Sequence, residues 1–218
     1  MRPGKKTYAV LMVLYAIAAL TVDSLSTLHV RWLIDWSRLY WAFPSGFEAS
    51  TCILWLVIPV LLMVRHLEID FFTFRRWEKS DYWLLLIFMA LGVLGICLIK
   101  FIPELNAYYP SGRFTSSRAR WQYGLHQTVW VLSWLIGWEF LHRVFLLRYA
   151  RILAGTAGLA IIPLIEFLFH LQKTLPEAFG ALLLSVVLTW WSYKRKNVLL
   201  PMITHFSIEI SLVIYCIL

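Results

Sequence analysis

The sequence predicts an all-α fold, a polytopic integral membrane helix bundle of about seven transmembrane helices. Three observations predict it. Of the 218 residues, 61% are hydrophobic and only 15% charged, against about 25% charged in an ordinary soluble domain. Mean hydropathy is +0.72. The apolar residues are gathered into long runs free of charge, and a bilayer core about 30 Å thick needs about 20 apolar residues of helix. A soluble globular protein is excluded. The formal net charge is +8, but the basic residues lie between the runs, where they face anionic lipid, and form no stripe of the kind that binds nucleic acid. No nucleic-acid partner is expected. Cys52, Cys97 and Cys216 sit in or beside apolar runs with no C-x-x-C pair, so neither a disulfide framework nor a zinc knuckle follows.

The runs are taken in chain order. The first, Tyr8 to Val22, follows Arg2, Lys5 and Lys6 and contains Ala16-Ile17-Ala18. It has some likeness to a cleaved signal peptide but is read as a retained anchor, because six more runs keep the protein in the membrane in either case. The second is Thr51 to Val64 and the third Tyr82 to Ile102. A polar connection, residues 103–127, with Pro103, Pro110, Ser111, Gly112, Ser116 and Ser117, precedes the fourth, Thr128 to Tyr149. The fifth, Thr156 to His170, the sixth, Phe179 to Tyr193, and the seventh, Val198 to Leu218, close the chain. The second, fifth and sixth are short, so they extend into flanking residues or lie tilted in the bundle.

With the N-terminus in the cytoplasm, Arg2, Lys5, Lys6, Arg65, Arg75, Arg76, Lys79, Arg148, Arg151, Lys194, Arg195 and Lys196 lie inside. Arg31, Arg38, Lys100, Arg113, Arg118, Arg120 and Lys173 then lie outside. Twelve against seven favours that orientation. The expected location is the bacterial inner (cytoplasmic) membrane, with the lipid bilayer as one partner. The run 194–196 is read as a topological signal. Trp32, Trp36, Tyr40, Trp41, Trp77, Tyr82, Trp83, Trp190 and Trp191 fall near run ends and read as interfacial belts. No internal repeat or soluble appendage is seen, so residues 1–218 form one integral membrane domain, with 1–102 as scaffold and 120–215 bearing the motifs.

A charge at mid-membrane costs about 2.5–3.5 kcal/mol even on the lenient insertion scale, so ionisable residues inside the runs are the informative ones. Three late runs carry them: Glu139, His142 and Arg143; Glu166 and His170; His205 and Glu209. Residues three or four apart share a helix face, so each set forms one polar patch aimed at a common interior. Against this stands a plain structural role, in which Glu139 and Arg143 neutralise each other and a lone histidine bonds a neighbouring helix. His29, His66 and His126 read as solvated or interfacial. Glu177 is a surface charge or a brace for the turn after His170.

The stretch 137–146, with Trp138-Glu139 and Arg143, resembles the first motif of the CAAX-protease and bacteriocin-processing (Abi) family, usually Glu-Glu-x-x-x-Arg, with a bacterial variant Trp-Glu-x-x-x-Arg-Gly. The stretch 170–181, a histidine ending a helix before a Lys173-Pro176-Glu177 turn, is similar to the second motif, and 194–209, leading to His205, to the third, His-x-x-x-Asn. The resemblance implies an intramembrane endopeptidase. Under it, Glu139 with His170 would activate a water, His205 would stabilise the oxyanion and Arg143 would orient Glu139, with no cofactor. The substrate would be a membrane-anchored protein or peptide, such as a lipidated protein or a C-terminal sorting anchor. Four positions depart from the family pattern. Trp138 replaces the first Glu of the pair, Val144 stands where Gly often follows the Arg, Glu166 stands at the motif-two Phe, and Glu209 replaces the motif-three Asn. Glu209 would have to be protonated to donate as an Asn does, and if the chemistry needs the first Glu, this protein is inactive or uses another carboxylate.

Two other readings stay open. Glu139, His142, Glu166, His170, His205 and Glu209 make three helical Glu/His pairs, which resemble a carboxylate-bridged divalent-metal bundle. Intramembrane Glu and His also suit a non-catalytic peptide-immunity or transport protein, although paired Gly/Pro-broken helices in symmetric halves, the pointer to a transporter, are missing.

Overall fold

The computed structural model describes residues 3–27, 47–109, 112 and 114–218. Several residues named above lie outside these: Arg2, His29, Arg31, Trp32, Trp36, Arg38, Tyr40, Trp41, Pro110, Ser111 and Arg113. The protein is 89% helical, with no strand among the described residues. Its elements are α1 (Pro3–Thr27), α2 (Ala49–His66), α3 (Lys79–Phe101), the short α4 (Pro103–Tyr108), α5, α6 (Gly158–His170), α7 (Leu175–Arg195) and α8 (Leu199–Ile217). Helix α5 runs through Ser117–Phe140, a π turn at Leu141–Leu146 and Leu147–Ala154. This is an integral membrane protein: six helical stretches among the described residues are long and apolar enough to cross a bilayer. The seven sequence runs become six stretches because runs four and five both fall in Ser117–His170, 54 residues interrupted at Gly155.

Local chemistry sets where the helices begin. Helix α5 starts about ten residues before its apolar run, because Ser116 Oγ accepts the Ala119 N–H at 3.1 Å and caps it. Much of the expected polar connection is therefore helix. Thr174 does the same for α7, its Oγ1 accepting Glu177 N–H at 3.3 Å. Gly155 adopts φ 60 and ψ −135, a conformation open to glycine, and turns the chain from α5 back along α6. Helix α6 has 13 residues, about 20 Å at 1.5 Å per residue, shorter than the hydrocarbon core. That shortness draws His170, at its end, into the bundle.

Every residue from 137 to 147 is buried, which makes the second half of α5 the central element. Helix α1 packs on it through the small face Ala9, Ala16 and Ala19 together with Met12 and Leu20, and α2 through Trp55 and Met63. Small residues let helices approach closely in lipid. At Gly137 an added Cβ would lie 2.9 Å from Trp55 Cβ. The Tyr8 hydroxyl donates to Leu62 O at 3.0 Å and the Tyr15 hydroxyl to Leu54 O at 2.6 Å, so α1 and α2 are antiparallel. A second core joins Phe88 of α3, Leu188 and Trp191 of α7 and Leu200 of α8. Helix α3 also meets α8, where Gly92 lies against Ile208, and most of its remaining surface is exposed, with only 6% of its apolar window buried.

The N-terminal face is tied by polar contacts that the apolar pattern does not announce. Asn197 Nδ2 donates to Asp70 O and Thr73 O at 2.9 and 2.7 Å, and Arg76 donates to Lys196 O at 2.8 Å. Arg195 pairs with Glu78, and its Nε lies 3.0 Å from buried Asp81. The basic run 194–196 thus has a structural role as well as a topological one. Trp191, expected in an interfacial belt, is instead buried and donates Nε1–H to Asp81 at 2.9 Å, while Trp83 and Trp190 are exposed.

Candidate active site

Charges on the buried half of α5 have no water to face and must be partnered within the protein. Arg143 is the hub of that pairing. Its Nε lies 3.3 Å from Glu139 Oε2, one turn away on the same helix. Its guanidinium grips the Glu166 carboxylate of α6 with both Nη atoms, Nη2 to Oε2 at 3.1 Å. Nη1 also reaches Thr189 Oγ1 at 2.9 Å and Ser185 Oγ at 3.2 Å on α7. One cation therefore fixes three helices, in the two-pronged geometry that favours arginine over lysine.

The other Glu139 oxygen, Oε1, lies 2.7 Å from His205 Nδ1 of α8. A carboxylate only accepts, so with Glu139 ionised that nitrogen carries a proton. His205 Nε2 is 3.7 Å from Glu209 Oε1, and the ring sits edge-on to Trp134 with centroids 5.6 Å apart. His170 Nδ1 lies 2.8 Å from Glu166 O. The carbonyl fixes the tautomer: Nδ1–H donates, and Nε2 keeps the lone pair. Trp138 stands edge-on to His170 at 5.9 Å.

Two cavities meet at these groups. The smaller, about 300 Å³, is bounded by Trp130, Trp134, Trp138, Tyr108 and Lys173; the larger, about 550 Å³, lies between α3, α7 and α8 and is lined mainly by apolar side chains such as Phe88, Leu184 and Leu212. His170, His205 and Glu209 line both. The smaller cavity also touches Asp23, Glu48 and Gln172, at or beyond the ends of α1, α2 and α6 remote from the N-terminus, so it opens on the face opposite the N-terminus. Lys173, Glu177 and Tyr109 form a hydrogen-bonded cluster at that rim: Lys173 Nζ to Glu177 Oε1 is 2.7 Å, and the Tyr109 hydroxyl donates to Glu177 Oε2 at 2.8 Å. Burial opposes the charge on Lys173, but Glu177, Tyr109 and Glu209 together hold its pKa above the ordinary lysine value. Burial above all raises the Tyr109 phenol, with Lys173 opposing and Glu177 adding.

The residues singled out in the sequence divide accordingly. Glu139 is joined to His205 and Arg143, is fully buried at 0% exposure, and lines neither cavity. His142 is likewise at 0%, its Nδ1 2.8 Å from Trp138 O and its ring 4.2 Å from Trp138. Glu166 is committed to Arg143. Among the described residues no three His, Cys, Asp or Glu side chains are grouped to hold a metal ion. His66 and His126 are exposed, and Glu177 braces the turn after His170. Ser185, Thr189 and Tyr109 escaped sequence reading. A Ser and a Thr four apart in an apolar helix is the signal that would have found the first two.

Residues 121–211 match the family described as type II CAAX prenyl endopeptidase, Rce1-like. The matched range, fewer than half of the 218 residues, contains Glu139, Arg143, Glu166, His170, His205 and Glu209, so the site-bearing helices are similar to that family. Comparison with curated proteins and with solved structures returns no match.

Proposed function

We propose that this chain, an integral membrane protein with a CAAX-type endopeptidase match over its site-bearing helices, is a glutamic-type intramembrane protease. It hydrolyses a peptide bond in a membrane-tethered protein, either near a lipidated cysteine or in a C-terminal sorting anchor. The single observation that carries the reading is that His170, at the end of α6, and His205 and Glu209, one turn apart inside α8, line the same two cavities with Glu139 directly behind His205. A water held between His170 Nε2 and a carboxylate is polarised for attack, and His205 donates to the charge that develops on the carbonyl oxygen. Arg143 holds Glu139, and Glu139 holds His205, so the imidazole meets the substrate in a fixed orientation. The larger, apolar cavity suits the hydrophobic part of a substrate and the smaller one, which carries more charged and polar side chains, admits water. No metal takes part in this chemistry. We further place the N-terminus in the cytoplasm of a bacterial inner membrane, so that the smaller cavity opens outward.

The test is hydrolysis in proteoliposomes of a quenched fluorescent peptide that ends in a farnesylated cysteine followed by three residues. Wild type is expected to cleave it, with His170→Ala and His205→Ala reduced by about 10²–10⁴ and chelators without effect. Equal cleavage by wild type and both variants removes the reading. Loss on chelation that iron, manganese or zinc restores favours the metal alternative.

A further inference from the structure

Resting on the endopeptidase reading, we infer that Glu209 is the carboxylate that activates the water and that Glu139 is a positioning residue. Residues 121–211 contain four carboxylates, Glu139, Glu166, Glu177 and Glu209. Three are committed. Glu139 is divided between Arg143 and His205 and has no exposure to either cavity. Glu166 is gripped by Arg143. Glu177 serves Lys173 and the Tyr109 hydroxyl. Glu209 alone among the described acidic residues lines both cavities, together with both imidazoles. Its contact with His205 Nε2, at 3.7 Å, is longer than a hydrogen bond and leaves its oxygens available to a water.

The departures of the sequence from the motif pattern take on a single meaning. Where the pattern has its first Glu, this chain has Trp138; where it has an amide donor, this chain has Glu209. The acid free to meet a water thus stands on α8 and not at the first position of the α5 pair. Trp138 lines the smaller cavity, and its indole Nε1–H is buried without a hydrogen-bond partner. In the step so assigned, water passes one proton to a Glu209 oxygen as its own oxygen bonds to the scissile carbonyl carbon, and the carbonyl electron pair moves onto the carbonyl oxygen. His170 Nε2 accepts the second hydrogen bond from that water and so orients it. Collapse reforms the carbonyl, breaks the C–N bond and returns the Glu209 proton to the departing nitrogen, giving a carboxylic acid and an amine.

The experiment uses the full chain in proteoliposomes with the same farnesyl-cysteine peptide, each variant first checked for thermal unfolding in detergent. Glu209→Gln keeps shape but cannot take a proton. It is expected to lose about 10²–10⁴ in kcat and to lose the acid limb of the kcat/KM profile. Glu139→Gln still accepts from His205 Nδ1 and is expected to lose less, with KM and that limb retained. The decisive variant is Trp138→Glu combined with Glu209→Asn, which rebuilds the family arrangement and is expected to recover at least about tenfold over Glu209→Asn alone. Should Glu209→Gln unfold, Glu209→Asp replaces it, with reduced kcat and the acid limb intact. Glu209→Gln within threefold of wild type, beside an inactive His170→Ala, overturns the assignment and leaves the protease standing. A wild type that never cleaves the peptide removes both.

Discussion

Arg143 shows how one residue serves both stability and the site. It is 1% exposed in its side chain and stands between two buried carboxylates, Glu139 and Glu166. Replacing it by alanine leaves both without a counter-charge, and breaking such a buried pair from one side typically costs about 3–5 kcal/mol. Arg143→Ala is therefore expected to unfold at markedly lower temperature in detergent, and Arg143→Ala combined with Glu166→Ala to lose less than the two single losses added, which a double-mutant cycle measures. Strictly additive losses would show that the pair is not coupled. The sequence disclosed Arg143 and Glu139 as neighbours, because four residues is one helical turn. It did not disclose that Glu166 is the tighter partner or that Ser185 and Thr189 complete the shell, because those contacts join helices 23 to 46 residues apart. For the same reason the removal of Glu139 from the cavities was invisible: periodicity gives the face of a helix, while burial depends on what packs over it.

At the scale of elements, the site depends on a chain reversal and a clamp. Gly155 makes the reversal from α5 to α6, and nothing lies within 4 Å of the place where a Cβ would stand, so substitution there tests backbone conformation alone. Gly155→Ala is expected to cost about 1–3 kcal/mol, read as a lowered unfolding temperature; an unchanged value would mean that the turn relaxes freely. The clamp lies at the C-terminal end of α7, where Arg195 meets Glu78 and Asp81. Its hydrogen bond from Arg195 holds the Glu78 carboxyl below its ordinary pKa. A group depressed in the folded state adds stability above its unfolded pKa and loses it as pH falls through the folded value. Acid should therefore weaken the clamp, and Arg195→Gln should flatten that part of the dependence of unfolding temperature on pH. A slope identical to wild type would exclude Glu78 as its source. Helix starts were partly illegible for a related reason: an apolar run marks the lipid-facing stretch, whereas the capped, polar first turns of α5 extend beyond it.

Across the whole molecule, alternating helices sort the chain ends between two faces. The clamp, the 69–76 turns and the 196–197 turn share the face of the N-terminus, while the rim of the smaller cavity lies on the other. The bundle itself was legible, because seven apolar runs have no other use in 218 residues. What composition left open was how His170, at the end of a run, meets His205, inside another, and the 13-residue α6, shorter than the hydrocarbon core, accounts for it. The positive-inside balance yields a prediction at this scale: with the proposed cytoplasmic N-terminus, the smaller cavity is expected to be reached from the outer side of the membrane. Serines at Cys52, Cys97 and Cys216 give a background for labelling. In that background Arg118→Cys, at the start of α5 on the cavity face, is expected to react with a membrane-impermeant maleimide on intact cells. Arg75→Cys, whose side chain is 79% exposed on the N-terminal face, is expected to react only after permeabilisation. The reverse pattern would invert the molecule in its membrane, open the smaller cavity to the cytoplasm, and restrict its substrates to tethered peptides presented from within.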